Sequence, residues 1–288
     1  MNLITGSNGS CAHYLKAELA EWRGLARPDC DLLHPIKVAA RLDALKPDVI
    51  YHLAADADVR GSFDRPAQVF HNNTVSTVNL FQACVLVGIR PVVVLCSTSE
   101  VYGNPGSWPI TEDFSTERQT NPYAVSKRAQ EAIARYYESA YGFPLVVTRA
   151  FGYVNPRRDN LALSNFARQI VRIERGEAHE LRHGNLDSVR TFCDVRDIAR
   201  GYVLAAGHPG WTLNIGSEEA VSIGECLKIL CEYAQAEVLT IQDPALMRPL
   251  DITNIIPSCA EMRMLTHWEP KIALRDSMRW LLEEMRSQ

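Results

Sequence analysis

The stretch Thr5-Gly6-Ser7-Asn8-Gly9-Ser10-Cys11-Ala12 decides how the rest of the chain is read. It follows a short apolar segment, Asn2-Leu3-Ile4, and precedes an amphipathic one over residues 12–22. Gly6 permits a tight turn out of a strand, Gly9 lets backbone N–H groups approach a pyrophosphate, and the small Ala12 allows close helix–strand packing. The spacing predicts a strand, a phosphate-binding turn and a helix opening an α/β unit. Gly6, Ser7, Asn8, Gly9 and Ser10 are the expected dinucleotide contacts.

Outward from this turn, strand-length apolar runs alternate with helix-period segments. Residues 48–53, 91–96 and 145–149 read as strands, and residues 73–87 and 123–141 as helices. The run 91–96 is continuously apolar, as expected of a strand covered on both faces. Such alternation implies a parallel sheet with right-handed crossovers. Beyond Phe151 the segments shorten and turn residues recur, at Asn155-Pro156, Asp159-Asn160, Gly184-Asn185 and His208-Pro209-Gly210. Helical stretches at 165–175 and 223–234 lie between short strands. This predicts a dinucleotide-binding domain over 1–150, with later segments returning to it, and a mainly substrate-binding lobe over 151–288.

The composition fits a globular chain: of 288 residues, 47% are hydrophobic and 22% charged, which excludes general disorder. Thirty Lys+Arg against 34 Asp+Glu give a formal charge of −4, without the basic excess expected of a nucleic-acid binder. No apolar stretch approaches the roughly 18–20 residues that cross a bilayer. The start of the chain also lacks the basic segment and cleavage site of a signal peptide. The expectation is a cytoplasmic protein with neither a nucleic-acid nor a membrane partner. Eight cysteines form no Cys-x-x-Cys pair and no metal-ligand spacing, and read as reduced, structural residues.

Two further motifs carry chemistry. Tyr123 and Lys127 stand four positions apart, on one face of a predicted helix. A phenol of ordinary pKa, near about 10, is a poor base at neutral pH, and a neighbouring cation favours its ionised form. Ser97-Thr98-Ser99-Glu100 directly follows the apolar run 91–96, so its hydroxyls and carboxylate should emerge at the C-terminal edge of the sheet, where ligands bind in open α/β folds. At the adenosine end only residues 22–27 are available as the second strand. Arg27 would pair with a 2′-phosphate, whereas Asp29 or Asp31 would favour an unphosphorylated ribose or contact adenine. NADP and NAD both remain open on this reading.

Together these motifs resemble the extended short-chain dehydrogenase/reductases of the NAD-dependent epimerase/dehydratase family, which modify nucleotide-linked sugars. His52-Leu53-Ala54-Ala55 and Asn73-x-x-Ser76-Thr77 are similar to two further family motifs. Phe166-Ala167-Arg168-Gln169-Ile170, Gly184-Asn185-Leu186, Arg190-x-Phe192-x-Asp194-Val195-Arg196-Asp197 and Arg248-Pro249 resemble the GDP-mannose 4,6-dehydratase and GDP-4-keto-6-deoxymannose reductase group.

The resemblance implies a Rossmann-type, doubly wound parallel sheet with a small C-terminal α+β substrate lobe. It also implies NADP or NAD as cofactor, a nucleotide-diphosphate sugar as substrate, and redox chemistry at sugar C4. Thr98, Ser99, Glu100, Tyr123 and Lys127 are then catalytic. Leu32, Leu53, Ala54, Ala55 and Asn73 join Arg27, Asp31, Tyr123, Lys127 and the phosphate turn at the cofactor. Asn165, Arg190 and Arg248 take the substrate, with Arg157, Arg158 and Arg182 as weaker diphosphate candidates and Phe166 or Trp211 as base-stacking ones.

The family's mode of association implies a homodimer through helices 73–87 and 123–141, with Phe81, Tyr136 and Tyr137 as candidate contacts. Length and the second lobe favour a 4-keto reductase. Thr98-Ser99-Glu100 and Pro156-Arg157-Arg158 resemble a dehydratase, and a 4-epimerase or a non-catalytic dinucleotide sensor would use the same fold. Three departures stand out: Gly152 replaces an asparagine, Ser76 replaces a helix-packing glycine, and Asp56 and Asp58 replace uncharged polar residues.

Overall fold

A computed structural model describes residues 1–158, 161–247 and 254–288. The chain opens β1 (Asn2–Thr5), α1 (Ser10–Glu18), β2 (Trp22–Leu25), α2 (Pro35–Leu45), β3 (Val49–His52), α3 (Pro66–Leu86) and β4 (Val92–Thr98). It continues through α4 (Pro122–Tyr141), β5 (Leu145–Ala150), β6 (Tyr153–Val154), α5 (Ala162–Glu174), β7 (Glu180–His183), β8 (Val189–Thr191) and β9 (Cys193–Asp194). Then come α6 (Val195–Ala205), β10 (Thr212–Ile215), β11 (Ala220–Ser222), α7 (Ile223–Glu232), β12 (Leu239–Gln242), α8 (Ala260–Thr266) and α9 (Leu274–Arg286).

Six strands form one parallel sheet in the order β10-β5-β4-β3-β1-β2. The strand order reverses between β1 and β3, with β2 on one side of β1 and the later strands on the other, which creates the crevice at the sheet's C-terminal edge where such folds take ligands. β4 is central, and its apolar residues alternate between the two faces. Val93 and Leu95 join the core under α2, α3 and α4, while Val94 and Cys96 join the core under α1 and α6. That two-sided burial is why the run carries no polar alternation.

The observed elements depart from the sequence reading in several places. α3 begins seven residues before the predicted start, at Pro66, whose fixed φ suits a first helical position. α2, α6, α8, α9 and β10 were not singled out by periodicity. β10 pairs with β5 and completes the main sheet, although it follows the segments of the second lobe. That lobe packs α5, α7 and α9 around Phe166, Ile170, Leu227, Leu230, Leu281 and Met285, with three two-stranded sheets among the described residues beside them. Among the described residues, no helix is long and apolar enough to cross a membrane.

Candidate active site

The phosphate turn is built by a backbone that excludes side chains. Gly6 has φ +66°, and a Cβ on it would lie 2.8 Å from the Ala54 Cα. Its N–H donates to the Leu25 carbonyl at 2.8 Å, and the Gly9 N–H donates to the Gly6 carbonyl at 2.8 Å. Gly9 then caps α1 without any side-chain hydrogen bond, so the helix's first N–H groups are available to an anion. Ser7 departs from the expectation for this turn. It is buried beneath β2, where only the missing side chain of Gly24 leaves room for it, and it does not line the cleft.

A buried polar network fixes β3 against the helices behind it. His52 meets Thr5 Oγ1 at 2.8 Å and Thr77 Oγ1 at 3.0 Å, and burial pushes its pKa down to about 3, so the ring is neutral. Asn73 accepts from the Asp56 N–H at 2.7 Å and donates to the Asp56 carbonyl and to Ser126 Oγ. Its amide thus braces the loop after β3 as well as lining the cleft. Ser76, in the place of a glycine, turns its hydroxyl back to the Asn73 carbonyl at 3.1 Å. The carboxylates of Asp56 and Asp58 are also accounted for. Arg65 grips Asp56 through two bonds at 2.7 and 3.2 Å and reaches Asp58 at 3.6 Å.

The cleft has two chambers. The larger, about 730 Å³, is lined by Gly6, Asn8, Gly9, Arg27, Asp31, Leu32, Leu53, Ala54, Ala55 and Asn73. The smaller, about 390 Å³, brings together Ser10, Thr98, Ser99, Glu100, Tyr123 and Lys127. Gly6, Gly9, Leu53, Ala55, Ala57 and Arg158 face both. An elongated group with a diphosphate at the α1 N-terminus fits this arrangement, with its two ends in different chambers. The cradle at Gly6, which any Cβ would fill, is the feature that suits a dinucleotide.

Helix α4, which carries Tyr123 and Lys127, is placed by its first residues. Asn121 caps α4 by accepting from the Ala124 N–H at 2.8 Å, and Pro122 fixes the first turn. The same Asn121 donates to Glu100 Oε2 at 2.8 Å, so one side chain sets both the start of the helix and the carboxylate. Thr98 faces the Tyr123 phenol, where its hydroxyl favours the ionised form, and accepts from the Glu100 N–H at 3.3 Å.

Burial pushes the Tyr123 phenol well above its usual range, and the cation that opposes this most strongly is Arg158. Lys127, buried one turn along, donates to the Cys96 carbonyl at 2.8 Å, and burial lowers its pKa to about 8. Beneath them, Glu131 accepts from Ser97 at 2.5 Å and from Arg149 at 3.1 and 2.9 Å. Sequence reading passed over Asn121, Tyr153 and Arg65. The Asn-Pro pair before Tyr123 was the signal for the first.

The second lobe contributes Leu161, Ala162, Leu163, Ser164 and Phe192 to the smaller chamber. α5 has no side-chain cap, so a second helix N-terminus opens into the same cleft. Asn165 is exposed and bonded to Gln169 at 2.9 Å, while Arg190 is half-buried on β8 and donates to the Val189 carbonyl at 2.8 Å. Neither lines the cleft among the described residues. Arg248 lies outside the described residues. Phe166 is buried in the lobe's core, and Trp211 precedes β10 at the N-terminal edge of the sheet, away from the chemistry. Neither is placed to stack on a base.

A nucleotide cradle, a six-stranded parallel sheet and a Tyr-Lys pair beside Thr98 define an extended short-chain dehydrogenase/reductase. The GDP-mannose 4,6-dehydratase family profile matches residues 9–281, and the chain belongs to that family of NAD(P)-dependent nucleotide-sugar enzymes. It is 32% identical to a GDP-6-deoxy-D-mannose reductase of Pseudomonas aeruginosa, over 99% of this chain and 97% of that protein. A structure of RMD from Pseudomonas aeruginosa, complexed with NADPH, superposes with a TM-score of 0.91 at 31% identity, covering 99% of each chain. A GDP-mannose 4,6-dehydratase of Sordaria araneosa is 27% identical over 98% of this chain and 59% of that protein.

Proposed function

We propose that this protein is an NADPH-dependent reductase of a GDP-4-keto-6-deoxyhexose, acting at C4. The observation that carries the reading is the convergence of two uncapped helix N-termini, those of α1 and α5, on one cleft that also holds Thr98, Tyr123 and Lys127. Two diphosphates are thereby accommodated, one from the dinucleotide and one from the sugar nucleotide, with the reacting groups between them. Likeness to a GDP-6-deoxy-D-mannose reductase along the whole chain supports the same substrate class.

In the reducing direction Tyr123 delivers a proton to the O4 oxygen, and Thr98 holds that oxygen and the phenol in one hydrogen-bonded row. Lys127 orients the dinucleotide ribose and supplies positive charge as the phenol ionises. A bound NADPH supplies the hydride that C4 receives. Preference for NADPH is inferred from Arg27, which follows β2 and lines the larger chamber, where its guanidinium can pair with a 2′-phosphate; Asp31 on the same wall is drawn to its own loop by the Leu33 N–H, at 3.0 Å.

A dehydratase reading is favoured by one observation: Glu100 lines the catalytic chamber, held by Asn121, where it could remove a C5 proton. The two readings separate on incubation with each substrate. A reductase consumes NADPH with the 4-keto sugar nucleotide, at least about tenfold faster than NADH at limiting cofactor, a difference of about 1.4 kcal/mol. Its product is heavier by one hydride and one proton. Glu100→Gln should then leave reduction within about tenfold of wild type. Loss of water from GDP-mannose without external reductant, abolished by Glu100→Gln, would replace the reductase reading with the dehydratase one.

Association as a homodimer belongs to the same proposal. Of the three aromatic candidates, Phe81 and Tyr137 stack on each other in the core, and only Tyr136 faces outward. Leu86 (69% exposed) and Tyr136 (58%) leave an apolar outer face on the packed pair α3 and α4. A two-fold contact through that face would cover it. Light scattering at micromolar concentration should give twice the chain mass, and a monomer would remove this part of the proposal.

A further inference from the structure

We propose that Arg158, reaching into the cleft from the second lobe, is the positioning residue that sets the proton affinity of Tyr123 in the reaction proposed above. Its guanidinium donates to the Tyr153 hydroxyl at 3.4 Å and to the carbonyl of Ala57 across the cleft. It lines the catalytic chamber together with Tyr123 and Tyr153, and it also faces the larger chamber. The two hydrogen bonds anchor the planar group between the lobes, where it acts as a fixed positive charge and carries no transferable proton.

The backbone at position 152 leaves this wall of the chamber without a side chain. A Cβ on Gly152 would lie 2.6 Å from the Thr191 carbonyl oxygen and 3.4 Å from the Phe192 ring. The Gly152 carbonyl is itself tied to the Cys193 N–H at 3.0 Å, which locks β6 beside β9. No side chain can therefore supply polarity from that position while this pairing holds. Arg158, six residues on, brings a polar group to the same wall from a backbone that has room for it.

Each element around Tyr123 adds its own influence. Thr98 and Glu100 face it from the end of β4, the first with a hydroxyl that favours the phenolate and the second with a negative charge that opposes it. Tyr153 approaches from β6, Tyr202 from α6, and Lys127 lies one turn along α4. Burial, Glu100 and Tyr153 all disfavour the phenolate, and Arg158 is the strongest charge favouring it. Removing the guanidinium leaves a buried phenol with its opposing influences intact.

The test uses the oxidising direction, in which the sugar O4–H proton passes to the Tyr123 oxygen while C4 gives its hydride to oxidised dinucleotide. The rate should rise with pH as Tyr123 ionises. Arg158→Met is expected to move that midpoint upward by about one pH unit or more, as loss of a nearby opposite charge does, and Arg158→Lys should recover part of the shift. Thermal melting near that of wild type would show that the variants are folded. A lowered rate with an unmoved midpoint would overturn the proposal and leave Arg158 a structural tie.

This inference rests on the reductase reading, so a second readout stands apart from turnover. A fluorinated tyrosine, which is more acidic than tyrosine, placed at position 123 can be titrated by fluorine NMR without substrate. Ionisation at higher pH in Arg158→Met than in the unsubstituted background supports the role, even if no sugar nucleotide is turned over. Equal titration curves would sink it whatever the enzyme's activity.

Discussion

Replacing Tyr123 by Phe is expected to lower turnover by at least about 10²-fold, the usual contribution of a general acid or base, equivalent to about 2.7 kcal/mol of barrier. The oxygen removed is the one that carries the proton, while the ring stays in its buried socket. Thr98 keeps its bond from the Glu100 N–H, so the turn after β4 should hold its shape. Affinities for dinucleotide and sugar nucleotide should then change little, as measured by fluorescence titration. Lys127→Met should be comparably slow and should also weaken dinucleotide binding, because the ammonium proposed to orient the ribose is lost, and it should lower stability by leaving the Cys96 carbonyl without its buried donor. A Tyr123→Phe enzyme with an unaltered rate would remove the phenol from the mechanism.

The second large effect is structural. Gly6→Ala forces a side chain into a left-handed backbone, which costs about 1–3 kcal/mol, and drives its Cβ to 2.8 Å from the backbone of Ala54. The only relief is to separate the turn from the end of β3, where Leu53, Ala54 and Ala55 face the cleft. A lower urea midpoint and at least about tenfold weaker NADPH binding are expected together, the latter worth about 1.4 kcal/mol. Unchanged values of both would mean that the cradle is not where the dinucleotide sits.

Legibility in the sequence followed the range of the interactions involved. The phosphate turn, the buried strand β4 and the Tyr123–Lys127 pair are local patterns, and the chain spells them out within a few residues. β10 has four residues and gains its identity only by pairing with β5, so periodicity could not mark it. The charge conflict expected from Asp56 and Asp58 dissolves in Arg65, whose approach depends on how the intervening loop folds. Arg158 is the sharper lesson. Read linearly it is one of three spare arginines, yet the turn after β6 carries it across the cleft, whereas Arg190 lines neither chamber.

The return of the chain to the main sheet at β10 bears on how such enzymes could be recombined. β5 is flanked by β4 on one side and β10 on the other, and β10 arrives only after α5, β7, β8 and α6 have been laid down. A graft that exchanged everything beyond residue 150 would hand β5 a foreign neighbour, and a truncation there would expose its edge to adventitious strand pairing. Chimeras that trade the segments beyond residue 150 would therefore need two junctions besides the one after β5, one on either side of residues 195–215, so that α6 and β10 stay with the sheet they complete.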